Sequence, residues 1–107
     1  MSIPIPGTPV RGSKSGQPIM AILDLLGRNW ALGIIWNLGD RSRTFRQIQA
    51  DCESVSPTTL NTRLKELRNS HLVEISVDGY RLTSTGRELL ELLKPLGGWA
   101  KVWSANF

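Results

Sequence analysis

The sequence predicts a mainly α-helical domain carrying one small β-hairpin. Three observations lead there. Apolar residues recur at helical spacing in several separate stretches, two short alternating segments flank an Asp78-Gly79 pair, and this strand-like unit lies between two helices. With 107 residues there is room for one domain.

Residues 1–17 hold Pro4, Pro6, Pro9, Gly7, Gly12, Gly16, Ser13 and Ser15, with Arg11 and Lys14 and no acid. That mixture disfavours regular structure and predicts a flexible basic tail ahead of a domain at 18–107. The first helix is expected from Pro18, a residue suited to the first helical position. Ile19, Ile22, Leu23 and Leu26 share one face, and Gly27 ends it. A second helix is expected at 30–38, ending at Gly39. Its apolar residues run nearly all round, which predicts a central buried helix with Trp36 in the core.

Thr44 suits the N-cap of a short helix to residue 51, with Phe45, Ile48 and Cys52 on its inner face. The next helix, expected at 56–70, has the clearest local grammar. Ser56 is the N-cap, Pro57 follows it, and Val55 can staple onto Leu60. Leu60, Leu64 and Leu67 form the buried stripe. His71 falls where a left-handed C′ residue is expected, and Leu72 follows it at C″. Val73, Ile75 and Val77 alternate with Glu74, Ser76 and Asp78, which reads as a half-buried strand. Asp78-Gly79 is the expected two-residue turn, and Tyr80-Arg81-Leu82 the return strand. Thr83 is the expected cap of the last helix, whose stripe is Leu89, Leu92, Leu93, Leu96, Trp99, Ala100 and Trp103. Pro95, Gly97 and Gly98 are expected to bend or interrupt it.

A helix-turn-helix followed at once by a hairpin is the winged-helix arrangement. In it, the helix from Ser56 turns Thr58, Thr59, Thr62, Arg63 and Lys65 outward. Short hydroxyl side chains allow close approach in a major groove, and arginine reaches guanine or phosphate. Arg43 and Arg46 are placed for the flanking backbone, and Arg81 is the one basic residue of the wing. The charge agrees: net +4 overall, with six basic residues against three acidic ones between Arg41 and Arg68. A basic balance favours polyanionic partners, double-stranded DNA first.

The series Pro18-Ile19, Leu23-Asp24-Leu25-Leu26-Gly27, Trp30 and Arg43-Thr44-Phe45 resembles the HxlR-type winged-helix transcriptional regulators. So do Ser56-Pro57, Leu60, Arg63-Leu64, Glu66-Leu67, Leu72-Val73-Glu74, Tyr80-Arg81-Leu82-Thr83, Gly86-Arg87 and Trp99. The resemblance runs over residues 18–103. It implies a sequence-specific homodimer, a repressor on a palindromic operator, with a recognition helix starting at Ser56 and a wing between Val73 and Leu82. It further implies an interface formed by the first and last helices, hence by Ile19, Leu23, Leu92, Leu96, Trp99 and Trp103. Three positions depart from the family pattern. Gln17 stands where many relatives carry a cysteine that some use for sensing, the wing tip is reduced to Asp78-Gly79, and His71 replaces the usual glycine after the recognition helix.

Other chemistries find little purchase. The single His71 and single Cys52 give no metal-ligand spacing, no phosphate-binding glycine loop is present, and no nucleophile sits beside a base, so neither enzyme nor cofactor is expected. Cys52, between Asp51 and Glu53, reads as a buried structural cysteine; a redox-sensing role is the alternative. Trp99 and Trp103, one turn apart, read as interface packing, with an effector pocket as the alternative. No apolar run approaches the roughly 20 residues of a membrane span, and residues 1–17 lack a signal-peptide core, so the expected compartment is the cytoplasm. Two rival functions remain at this level: a protein-interaction module that binds no specific DNA, and a regulator gated by a small molecule or by redox state.

Overall fold

A computed structural model of the chain describes residues 3–107. Its elements run α1 (Pro18–Leu26), α2 (Ala31–Leu38), α3 (Phe45–Asp51), α4 (Pro57–Asn69), β1 (Val73–Ser76), β2 (Gly79–Leu82) and α5 (Ser84–Ser104). The expected architecture of five helices and one antiparallel hairpin is therefore the observed one. Among the described residues no single helix is long and apolar enough to cross a membrane.

The core is built on α2. Ala31, Ile34, Ile35 and Leu38 are fully buried, and Ile48 of α3, Leu60, Leu64 and Leu67 of α4, and Leu82 of β2 close around them. Trp36 is not in the core as expected. It is 49% exposed, and so is much of Leu32, because α5 covers that side of α2 only in part. The α1 stripe divides in the same way. Leu26 is buried, whereas Ile19 and Leu23 face outward.

Local chemistry sets the helix ends. Thr44 and Gln47 form a reciprocal capping box at α3. Ser56 Oγ accepts the Thr59 N–H at 3.2 Å, with Pro57 at N1. Between α3 and α4 the chain turns through two successive left-handed residues, Glu53 (φ 55°) and Ser54 (φ 59°). The turn is tied by the Ser54 N–H donating to Gln49 O at 2.9 Å and by Gln49 Nε2 donating to Val55 O at 2.8 Å.

At the far end of α4, His71 is left-handed (φ 65°). Its N–H donates to Arg68 O at 3.1 Å, and the Leu72 N–H donates to Leu67 O at 3.0 Å, the two bonds of a Schellman motif. A non-glycine residue there carries left-handed strain of about 1–2 kcal/mol, while glycine costs more unfolded-chain entropy. The His71 side chain is exposed. His71→Gly is therefore expected to stabilise the domain by about 0.5–1 kcal/mol, read as a rise of a few degrees in the thermal midpoint. A fall would mean that the imidazole holds the junction.

The hairpin register pairs Val73 with Leu82 and Ser76 with Gly79, so Val77 and Asp78 form the turn. The expectation of an Asp78-Gly79 turn is off by one. Gly79 is required for another reason: a Cβ there would lie 2.3 Å from Arg43 O. That close approach accompanies an isolated antiparallel bridge between Arg43 and Tyr80. The Arg43 N–H donates to Tyr80 O and the Tyr80 N–H to Arg43 O, both at 2.8 Å. Exposure along the hairpin also corrects the expected buried face. Val73 is buried, but Ile75 and Val77 are exposed.

Thr83 Oγ1 accepts the Gly86 N–H and caps α5, which is unbroken to Ser104, so of the bend or interruption expected at Pro95, Gly97 and Gly98 the interruption is absent. Proline frees only one carbonyl, that of Glu91 one turn earlier, and Glu91 is exposed to water. Of the flexible basic tail expected at 1–17, residues 1 and 2 lie outside the described ones, and the rest carries several contacts. The Gly7 N–H donates to Gly16 O at 2.9 Å, Val10 and Ser13 exchange backbone bonds, and Arg11 reaches Asp24 at 3.5 Å.

Candidate nucleic-acid interface

The outward face of α4 is set by its core face. With Leu60, Leu64 and Leu67 buried, helical spacing brings Thr58, Asn61, Thr62 and Lys65 together on the opposite side. Thr58, Asn61 and Lys65 are exposed and Thr62 is half-buried. Thr58, Asn61 and Thr62 line a shallow depression with Pro57 and with Phe45 of α3, so the two helices of the helix-turn-helix share one surface. The single acid of α4, Glu66, is buried at 3% exposure, which leaves this face without negative charge.

The expected site residues separate into groups. Ser56 is exposed at the helix start, its hydroxyl donating to Thr59 Oγ1 at 2.9 Å, and Thr59 is half-buried in that contact. Arg46 is exposed on the first turn of α3, next to Phe45. Among the described residues, Arg46, Lys65 and Arg68 enter no ion pair. Arg43 forms a two-pronged pair with Asp51, at 3.1 Å from Nε and 2.8 Å from Nη2. Arg81 pairs across the hairpin with Glu74 at 2.6 Å, its partner in register.

Arg63, expected on the reading face, is held elsewhere. Its Nε donates to Asn29 O at 2.7 Å and its Nη1 to Glu66 Oε1, and its side chain is 11% exposed. Glu66 Oε2 in turn accepts Arg28 Nη1 at 2.7 Å. One buried carboxylate thus ties the turn between α1 and α2 to the middle of α4.

Asn61 was missed from sequence. The signal was present, since Asn61 is three residues beyond Thr58 and faces away from all three buried leucines. An asparagine amide can bond an adenine edge at two points.

A second exposed surface is apolar. Ile19 and Leu23 of α1, and Leu92, Leu96, Trp99 and Trp103 of α5, are each at least half exposed. Trp99 and Trp103 stack at 6.1 Å and 11°, and Phe107 meets Trp103 edge-on at 5.0 Å. Leu32, Trp36, Val102 and Phe107 extend the exposed set beyond the residues expected from sequence. Exposed apolar patches of this kind mark association or ligand surfaces. Cys52 is fully buried, and its thiol pKa is raised by burial first and then by Asp51 and Glu53. That keeps it protonated and poorly reactive at neutral pH.

Known proteins resemble the chain over most of its length. The model of the HxlR-like helix-turn-helix family matches residues 25–106. The HTH-type transcriptional regulator YvaP of Bacillus subtilis is 31% identical over 76% of this chain and 82% of its own. Two solved structures share the fold at 32% identity. Quinone-bound YodB of B. subtilis has a TM-score of 0.71, covering 78% of this chain and 94% of its own. A possible HxlR family transcriptional factor of Thermoplasma volcanium has a TM-score of 0.70, covering 83% and 86%.

Proposed function

The chain belongs to the HxlR-like helix-turn-helix family of transcriptional regulators, and from that premise we propose that it acts as a homodimeric repressor on a palindromic operator. The observation that carries the reading is the acid-free outward face of α4, with Thr58, Asn61, Thr62 and Lys65 over a buried Glu66. These four side chains enter the major groove. Arg46 and Ser56 meet the flanking phosphates, and Thr59 steadies the helix start. Arg43 and Arg63 hold α3 and α4 in place through Asp51 and Glu66. Arg81 lies on the wing, where release from Glu74 frees it for the backbone.

The dimer reading rests on the exposed apolar residues of α1 and α5, of which Ile19, Leu23, Leu92, Leu96, Trp99 and Trp103 form the proposed contact. In that dimer two α4 helices enter successive major grooves about 34 Å apart.

The testing experiment is a gel shift on DNA taken from upstream of the chain's own gene, with random competitor, at two salt concentrations. A discrete competitor-resistant species and a footprint of two symmetric half-sites are expected; salt-labile smearing on every fragment would defeat the reading. Two variants sort the contacts. Asn61→Ala is expected to cost about 1–3 kcal/mol on the operator and little on random DNA. Arg46→Ala is expected to weaken both alike and to lower the salt slope by about one. Equal losses for Asn61→Ala on both DNAs would remove it from base readout.

A further inference from the structure

Beside α4, on the side away from its outward face, lies a polar cleft of about 350 Å³ lined by Arg11, Asp24, Gly27, Arg28, Asn29 and Arg63. Among the described residues, three guanidiniums meet two carboxylates there, those of Asp24 and of Glu66 beneath, so the described side chains carry one positive charge in excess. The pairing is uneven. Glu66 holds Arg28 at 2.7 Å, but Asp24 stands 3.5 Å from Arg11 and 3.8 Å from Arg28. Both distances exceed the roughly 2.7–2.9 Å of a charge-assisted hydrogen bond. The Arg11 side chain is 72% exposed at the cleft mouth, so its planar fork is free to turn inward. Asn29 is exposed and belongs to the lining, and its carbonyl oxygen accepts from Arg63.

We infer that this cleft is a binding site for a small oxyanion, a carboxylate or phosphate compound of a few heavy atoms, and that its occupant lowers DNA affinity. The cleft falls within the size range of small-molecule sites. Guanidinium forks match carboxylate and phosphate oxygens at two points each. The regulatory half rests on the DNA-binding reading above and follows from charge. An anion seated against Arg63 adds negative potential to the flank of the helix that meets a polyanion. It also competes with Glu66 for Arg28 and Arg63, the tie that seats α4. Coupling is reciprocal, so DNA expels the anion by the same factor.

The test uses inorganic phosphate and the full chain, with ionic strength held constant by chloride. Amide NMR shifts of the DNA-free protein report binding. Saturable shifts centred on residues 27–29 and 63 are expected. Arg11→Ala and Asn29→Asp are each expected to weaken binding at least about five-fold while leaving the unfolding midpoint near the parent's; neither residue belongs to the proposed DNA contacts. Linear shifts, or equal affinity in both variants, would overturn the site.

A second arm measures DNA affinity on the upstream fragment. Phosphate is expected to weaken it by about five-fold or more in the parent and not in Arg11→Ala. If Arg11→Ala alone weakens DNA binding by that factor without phosphate, the cleft seats a backbone phosphate of DNA, and the effector assignment falls. A parent that takes phosphate but no DNA would overturn the regulatory assignment together with the reading beneath it. A parent that binds DNA but takes no phosphate would overturn this inference alone.

Discussion

Glu66→Ala is expected to lower the unfolding free energy by about 3–5 kcal/mol, the cost of breaking a buried ion pair from one side. Glu66 is 3% exposed and is bonded to two guanidiniums whose side chains are 15% and 11% exposed. Removing the carboxylate leaves Arg28 and Arg63 facing each other across a small gap. Arg28 keeps Asp24 and Arg63 keeps Asn29 O, so neither is stripped of every partner. For a domain of this size the loss corresponds to a fall of about 12–20 °C in the thermal midpoint. Glu66→Gln keeps the shape and one acceptor and is expected to fall between parent and alanine variant. A midpoint for Glu66→Ala within a few degrees of the parent would show that the tie between the α1–α2 turn and α4 contributes little.

The second large effect reverses a familiar sign. Replacing glycine by alanine inside a helix ordinarily stabilises it by about 1 kcal/mol. At Gly86, on the first turn of α5, the new Cβ would stand 2.1 Å from Leu72 O and 3.1 Å from Leu72 C. The obstacle is backbone, which has no rotamer to escape into. The helix must shift away from the chain segment leaving α4. Overpacking costs of about 1–3 kcal/mol, and occasionally more, are usual for buried sites, and this one belongs at the upper end. Gly86→Ala is expected to destabilise by about 3 kcal/mol in urea unfolding. Gly98→Ala on the same helix, where nothing lies within 4 Å, is expected to be stabilising. If the two variants behave alike, the close approach of α5 to Leu72 is not a constraint.

The elements fixed by local chemistry were legible in the sequence. Thr44, Ser56 and Thr83 cap the helices assigned to them, and His71 takes the left-handed position that its place after α4 suggested. Less legible was whatever distant backbone or surface decides. Gly79 looked like a turn glycine because Asp-Gly is the strongest hairpin pair, yet the glycine answers to Arg43, thirty-six positions earlier. Trp36 looked buried because α2 is apolar all round, and periodicity says nothing of how much of a face its neighbours cover. Arg63 looked like a groove residue by type. Its capture by Glu66 and Asn29 O needed the packing of the α1–α2 turn against α4, which no local pattern reveals. Asn61, by contrast, was readable from spacing alone and was overshadowed by the run of threonines around it.

The junction at His71 and Leu72 has a mechanical consequence. The Thr83 N–H donates to Leu72 O at 3.0 Å, Thr83 Oγ1 donates to His71 O at 2.6 Å, and Gly86 rests on the same Leu72 carbonyl. The end of α4 and the start of α5 are thereby joined almost without slack. The 21 residues of α5 make a rod about 31 Å long. In the proposed dimer, a tilt of about 5° at such a rod's end sweeps its other end through about 3 Å, close to the 3.4 Å rise of one base pair. In that proposed arrangement the crossing angle of two such helices would set the separation of the two α4 helices, and one base pair inserted between half-sites would demand a tilt of this size together with a turn about the DNA axis.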